Sequence, residues 1–204
     1  MSPEISIIDY GLGNIKSIRK GLEEVGATTV VTENKKDLNQ SDGIVIPGVG
    51  AFEDGMKEIE SLKYTIYDNI ESGKPILGIC LGMQMFLTKS QEGKQTIKGL
   101  DLIRGEAKKL PDKVKVPHIG WNSINLNKEH WIFNEIPGKA YFYFVHSYYS
   151  DLKYKKDILS TTDYGIRFPS AISRKNVTGL QFHPEKSGEN GLKILENYVK
   201  YVKR

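Results

Sequence analysis

Lys74–Gln84, KPILGICLGMQ, restricts what this chain can become more than any other stretch. Ile76, Leu77 and Ile79 lie in a short apolar run that reads as a buried strand. Cys80 follows at once, with Gly78 and Gly82 two residues to either side, and Met83–Leu87 reads as a continuing apolar helix. A strand entering a helix through Gly-x-Cys-x-Gly is the thiol form of the nucleophile elbow. Its tight turn forces the central residue into strained backbone, and side chains at the flanking positions would collide with adjoining strands. The turn also sets Cys80 at a helix N-terminus, whose partial positive charge favours an anion. A lone cysteine is more often a buried structural one. The two glycines and the strand-to-helix setting argue for the nucleophile.

At 204 residues the chain is long enough for one sizeable core, and no repeat, linker or low-complexity tract divides it, so residues 1–204 read as a single domain. Hydrophobic residues at 39% and charged ones at 26% are ordinary for a soluble globular protein. The net charge of +4 comes from 29 basic and 25 acidic residues that are interspersed, which gives no nucleic-acid footprint. One cysteine excludes an internal disulfide framework and suits a reducing compartment. No apolar run reaches membrane length, and Met1–Asp9 does not resemble a signal peptide, so the expected location is the cytoplasm, with no membrane contact.

In chain order, Ile5–Asp9 reads as a strand, Gly11–Gly13 as a turn and Ile15–Val25 as a helix ended by Gly26. Gly11 and Gly13 hint at a dinucleotide turn, but Lys16 stands where the third glycine belongs, so no such cofactor is expected. Thr28–Thr32 and Gly43–Ile46 read as strands, Ala51–Leu62 and Lys63–Ser72 as helices. Strand and helix thus alternate towards the elbow, the sign of a parallel α/β sheet. Pro47-Gly48-Val49-Gly50 ends the third strand; its glycines free backbone N–H groups to turn inward, beside Cys80 if both loops share the carboxyl-end crevice. Ser90–Gly99 reads as a loop. Beyond it Leu100–Gly105, Asn122–Leu126, Ala140–Val145, Asp157–Thr162, Pro169–Ser173 and Val177–Phe182 read as short, largely antiparallel strands, before a helix at Gly188–Lys203.

A thiolate needs a base. Of His118, His130, His146 and His183, the last ends a strand and precedes Pro184-Glu185. Proline keeps His183 extended, and residues two apart in an extended segment face one side, so Glu185 can reach the imidazole. That is the base and orienting carboxylate of a Cys–His–Glu triad. His118 and His146 are expected in the same crevice with hydrogen-bonding or packing roles. No metal-ligand spacing occurs, so no catalytic metal is expected.

PGVGAF at Pro47–Phe52, GICLGMQ at Gly78–Gln84, PHIGWN at Pro117–Asn122, YFVHSY at Tyr143–Tyr148 and QFHPEKS at Gln181–Ser187 together resemble one family, from IDYGLGN at Ile8–Asn14 to the last helix. It is the family of glutaminase subunits of imidazole glycerol phosphate synthase, a branch of the triad-type, class I glutamine amidotransferases. The elbow and His-Pro-Glu belong to the whole superfamily; PHIGWN, YFVHSY and Lys186-Ser187 single out the branch. Asp101, in GLDLI, stands where that pattern has a small residue.

The resemblance implies a flavodoxin-like, three-layer α/β fold, L-glutamine as substrate, no cofactor, and a (βα)8-barrel cyclase subunit as heterodimer partner in histidine biosynthesis. Cys80 would form a thioester with the glutamine side chain, His183 would serve ammonia and then water, and Glu185 would hold the ring. Backbone N–H groups of Leu81 and of the Val49–Gly50 turn would form the oxyanion hole, worth roughly 3 kcal/mol per donor. Gln84, Glu92, His146 and Ser147 would line the substrate, Glu92 against its ammonium group. Asn14, Trp121, Tyr143 and Lys186 would face the barrel where ammonia leaves. A cheap peptide flip at Val49 would keep the oxyanion donors turned away until the barrel binds its nucleotide.

Three other readings share these residues. A paralogous subunit would feed ammonia to amidine formation on nucleotide sugars. A partner-independent cysteine peptidase or esterase would leave Gln84, Glu92 and Lys186 without a role. A non-enzymatic binding subunit would leave the three triad residues without one.

Overall fold

The computed structural model describes residues 2–93 and 95–204. The first half runs Glu4–Ile8 (β1), Ile15–Glu24 (α1), Thr28–Thr32 (β2), Lys35–Gln40 (α2), Gly43–Ile46 (β3), Phe52–Ile59 (α3), Lys63–Glu71 (α4), Ile76–Ile79 (β4) and Leu81–Met85 (α5). The second is strand-rich: Leu87–Ser90 (β5), Ile97–Lys98 (β6), Ile103–Lys109 (β7), His118–Ser123 (β8), Asn125–Leu126 (β9), Tyr141–His146 (β10), Tyr148–Leu152 (β11), Ile158–Asp163 (β12), Arg167–Arg174 (β13) and Val177–Leu180 (β14). Helix Gly188–Val202 (α6) follows.

The main sheet has the order β2-β1-β3-β4-β14-β13-β12-β9. From β2 to β14 neighbouring strands are parallel, and β13, β12 and β9 extend the sheet antiparallel. Residues of β3 and β4 alternate between two apolar clusters. Val45, Leu77 and Ile79 pack with Leu22, Leu195 and Tyr198 of α1 and α6; Ile44, Ile46 and Ile76 pack with Phe52, Ile59 and Ile66 of α3 and α4. A strand covered on both faces must be apolar at every position, and β3 and β4 are buried throughout. The result is a mainly parallel α/β sheet between two helical layers, with antiparallel strands added in the second half.

Several boundaries differ from the sequence reading. The helix expected to run on through Met83–Leu87 ends at Met85, and Leu87–Ser90 becomes a strand paired with β7. An unbroken apolar run does not tell helix from strand, and here pairing with β7 decides. Ser90–Gly99 is not all loop, because Ile97–Lys98 pairs back on β5. Leu100–Gly105 is not a strand from its start: Asp101 has φ of +54°, and pairing begins at Ile103. That left-handed backbone is tolerated by Asp and Asn better than by most side chains, which accommodates Asp101 at its unusual position. Asn122–Leu126 divides between β8 and β9, while α2 and β11 were not expected.

What matters for a site is that β1, β3, β4 and β14 all present carboxyl ends on one edge, where an open parallel sheet forms its crevice. The loops after them carry Gly11–Asn14, Pro47–Gly50, Cys80 and His183. The first two loops touch: a Cβ on Gly13 would lie 3.4 Å from Gly48.

Candidate active site

Cys80 sits at φ +53°, ψ −104°, between the last residue of β4 and the first of α5. The flanking glycines answer to sterics. A Cβ on Gly82 would come within 1.9 Å of the Ile46 carbonyl oxygen in β3, and one on Gly78 within 2.4 Å of the Phe86 ring. Only 6% of Cys80 is exposed, yet it is not sealed in hydrocarbon. It lines a cavity of about 270 Å³ together with Val49, Gly50, Leu81, Gln84, Glu92, His146 and Ser147. Its sulfur lies 3.6 Å from the Val145 carbonyl.

The strand expected over Val177–Phe182 stops at Leu180, and His183 and Glu185 follow it, one capping and one on the short Pro184–Lys186 turn. His183 Nδ1 is 2.8 Å from Glu185 Oε1, and both side chains are almost wholly buried. His183 Nε2 is buried with no hydrogen-bond partner of good geometry. Burial by itself pulls the imidazole pKa down. Polar interaction with Cys80, and then with Glu185, outweighs it and pushes the ring up to about 10. The surroundings of His183 thus favour its protonated form beside the sulfur, and its Nε2 is free of other commitments. Loose contacts of this kind are usual in sites without substrate.

The cavity wall is less free than the sequence suggested. Gln84 donates both Nε2 hydrogens inward, to the Tyr148 carbonyl at 2.8 Å and to Gln181 Oε1 at 3.1 Å. Glu92 accepts the Phe52 N–H at 2.8 Å; burial lifts its carboxyl above the ordinary range, against the pull of that bond. His146 is held through both ring nitrogens, by Tyr148 O at 2.8 Å and His118 at 3.1 Å, and burial presses it down to about 3. It forms wall and is a neutral ring. Ser147 lines the cavity beside it.

The turn after β3 is in a closed arrangement. Leu81 N–H donates to the Gly48 carbonyl at 3.3 Å, so the group expected to meet an oxyanion is already occupied. The Tyr10 hydroxyl donates to the neighbouring Pro47 carbonyl. The Tyr10 ring, in IDYGLGN, spans to the turn after β3, a contact that nothing local in the sequence marks. Gly50 has φ of +125°, a conformation that permits the turn and that side chains resist.

Outside the cavity, Trp121 and Tyr143 pair across β8 and β10, with rings 6.1 Å apart in edge-to-face contact. Lys186 Nζ lies 5.9 Å from the Tyr143 ring centre. Asn14 begins α1, which packs against the Pro184–Lys186 turn. The outward face of β8 and β10 exposes Ile119, Trp121 and Tyr141, each more than half accessible. Among the described residues no cluster of three or more His, Cys, Asp or Glu side chains could hold a metal ion.

A strained cysteine between strand and helix, with a His–Glu pair just beyond the neighbouring strand β14, defines a class. Residues 6–201 match the profile of the family described as Glutamine amidotransferase class-I, and the chain belongs to that family. More narrowly, it is 49% identical over 198 residues to the imidazole glycerol phosphate synthase subunit HisH of Methanosarcina mazei, covering 96% of this chain and 97% of that one. The HisH subunit of Archaeoglobus fulgidus is 48% identical over 201 residues, covering 98% and 100% of the two chains. In fold the chain resembles PurLQS from Thermotoga maritima, with a TM-score of 0.78 over 98% of this chain and 99% of that one at 18% identity. A glutamine amidotransferase from Thermotoga maritima gives 0.66 over 100% and 85%, also at 18% identity.

Proposed function

We propose that this chain, 1–204 acting as one domain, is the glutaminase subunit of an imidazole glycerol phosphate synthase. It hydrolyses L-glutamine to glutamate and ammonia and passes the ammonia to a (βα)8-barrel cyclase subunit in histidine biosynthesis. The observation that carries the chemistry is Cys80 lining a cavity of about 270 Å³ with the hydrogen-bonded His183–Glu185 pair buried behind its sulfur. The full-length likeness to HisH subunits supports the pathway.

The Cys80 sulfur attacks the side-chain amide carbon of glutamine. The imidazolium of His183 gives its Nε2 proton to the departing nitrogen, the C–N bond breaks, and a thioester remains. The same nitrogen, now bare, takes a proton from water, whose oxygen attacks the thioester. Glu185 keeps Nδ1 protonated and the ring aimed throughout. The negative oxygen of each tetrahedral species is met by N–H groups of Leu81 and of the Val49–Gly50 turn. Leu81 reaches it only after its bond to Gly48 opens, so the subunit alone idles. Glu92 faces the substrate ammonium, which relieves the cost of its burial. Gln84, His146 and Ser147 shape the pocket.

Ammonia must leave unprotonated, because ammonium has no lone pair with which to attack the next substrate. Asn14, Trp121, Tyr143 and Lys186 border the exit, and the apolar face around Ile119 is where the barrel seals it. The reaction needs no cofactor and no metal. Among the described residues no helix is long and apolar enough to cross a membrane, and we place the enzyme in the cytoplasm.

The test is glutamate release by wild type and Cys80→Ala, with and without the barrel subunit and its nucleotide. Wild type is expected to be slow alone and strongly stimulated in the complex, and Cys80→Ala inactive in both. Full-rate hydrolysis by the isolated chain would overturn the idle state, and activity in Cys80→Ala would overturn the reading.

A further inference from the structure

Gln181 is fully buried and lies two residues before His183. Gln181 and Phe182 form the bend after β14: the Gln181 side chain reaches Cys80 in the elbow, while Phe182 is buried in the core and stacks on Phe142 at 4.1 Å. The Gln181 amide lies between two groups, Gln84 and Cys80, and its orientation can be deduced.

The deduction starts from the Tyr148 carbonyl, which can only accept. Gln84 Nε2 and His146 Nδ1 each lie 2.8 Å from it, so both carry hydrogen and donate. The second hydrogen on Gln84 Nε2 points at Gln181, 3.1 Å away, and only Oε1 of that amide can receive it. Turned over, Gln181 would set its NH2 group against the NH2 group of Gln84 in a dry interior, leaving donors unpaired. Gln181 Nε2 is thereby fixed toward Cys80, 3.7 Å from the sulfur.

The same logic runs outward. With Nδ1 as donor, His146 Nε2 is a bare acceptor, so His118 Nδ1 at 3.1 Å must donate to it. His118 Nε2 then accepts from Asn122, at 3.4 Å, beside the exposed Trp121. Each tautomer and each amide in this row is determined by its neighbour.

We propose that Gln181 is a dedicated N–H donor to the Cys80 sulfur, locked in that role by Gln84 and the Tyr148 carbonyl. The proposal rests on Cys80 being the nucleophile. A donor directed at sulfur favours the charged form, more so at low dielectric. It acts at two points of the reaction. Before attack it holds the thiolate on the line to the amide carbon. When the thioester breaks, the C–S electron pair returns to sulfur while the water proton goes to His183, and the Gln181 N–H meets the charge as it forms. Gln84 is in this account a positioning residue as well as cavity wall.

The probe is iodoacetamide, which needs no glutamine subsite, and Cys80 is the only cysteine in the chain, so labelling reports on one sulfur. In full-length Gln181→Met, close in size but without the N–H, the acid limb of the labelling rate is expected to move to higher pH by about half to one unit, roughly three- to tenfold slower labelling on that limb. Gln84→Met frees the Gln181 amide to turn and is expected to shift the limb in the same direction, and the double variant no further than Gln181→Met alone. Thermal unfolding of each variant monitors folding. Labelling of Gln181→Met that superimposes on wild type overturns the proposal; if that variant does not fold, the same result in Gln84→Met does so. Glutamate release by Cys80→Ala in the complex would instead overturn the assignment of the nucleophile, whatever the labelling shows.

Discussion

A glycine can matter through the space around it or through its backbone, and Gly82 and Gly11 separate the two. Gly82 has ordinary backbone, but an added Cβ would lie 1.9 Å from the Ile46 carbonyl in a central strand that cannot move aside. Gly11 has open space and φ of +76°. Gly82→Ala is expected to cost about 3 kcal/mol in a urea melt, from forced displacement in a packed core. Gly11→Ala should cost only the left-handed backbone term, about 1–2 kcal/mol. Equal losses in the two variants would show that β3 yields more easily than its packing implies. Cys80 carries the strain that Gly78 and Gly82 accommodate. A non-glycine residue at φ +53° costs about 1–3 kcal/mol, held by the strands on either side. The placement of Cys80, His183 and Glu185 could be read from sequence because each belongs to a local pattern: a glycine-flanked turn, or an extended X-Pro step. Gln181 and Tyr10 carry no such mark. Their partners, Cys80 and Pro47, are brought near only by the fold.

At the scale of elements, β8 and β10 are the pair whose stability should respond most to acid. His118 and His146 face each other across this ladder, and His118 is stacked between Phe144 and Tyr164. Burial presses His118 from 6.5 to about 4 and His146 to about 3. Both are neutral in the fold. Below pH 6.5 the unfolded chain takes up protons that the folded chain refuses, so the stability they confer is complete above 6.5 and lost as pH falls through their folded values. His130, pressed to about 4 by burial and by Lys128, adds in the same direction. His183 has the opposite sign: raised to about 10, its contribution is complete below 6.5 and lost only on the alkaline side. Chemical melts from pH 7 to about 4.5 should therefore show falling stability. His118→Asn, which keeps a donor toward His146 and cannot titrate, should take up about one proton fewer on unfolding near pH 5. An unchanged slope would mean that His118 is protonated in the fold.

For the molecule as a whole, the question is how the cavity would communicate with the proposed barrel subunit. The exposed apolar face of β8 and β10 is continuous with the cavity through Val145, whose carbonyl contacts the sulfur. Trp121 and Ile119 are 56% and 58% exposed, so neither supports the core. Trp121→Ala is expected to leave the melting temperature of the free subunit nearly unchanged and to weaken binding of the barrel subunit by about 2 kcal/mol, as for a central aromatic anchor. Titration calorimetry measures the loss, and undiminished affinity would move the interface elsewhere.

Alone, the sequence determined the parallel α/β half, the elbow and the His-Pro-Glu step, because each is a short-range regularity of strand, turn or period-two spacing. Only the tertiary structure decided that α5 stops after Met85, that Leu81 N–H is held by Gly48, and that Gln84 spends its donors on Tyr148 and Gln181. A buried polar group must find whichever partner the packing supplies, and in these cases that partner comes from a segment distant in the chain or from the turn after another strand.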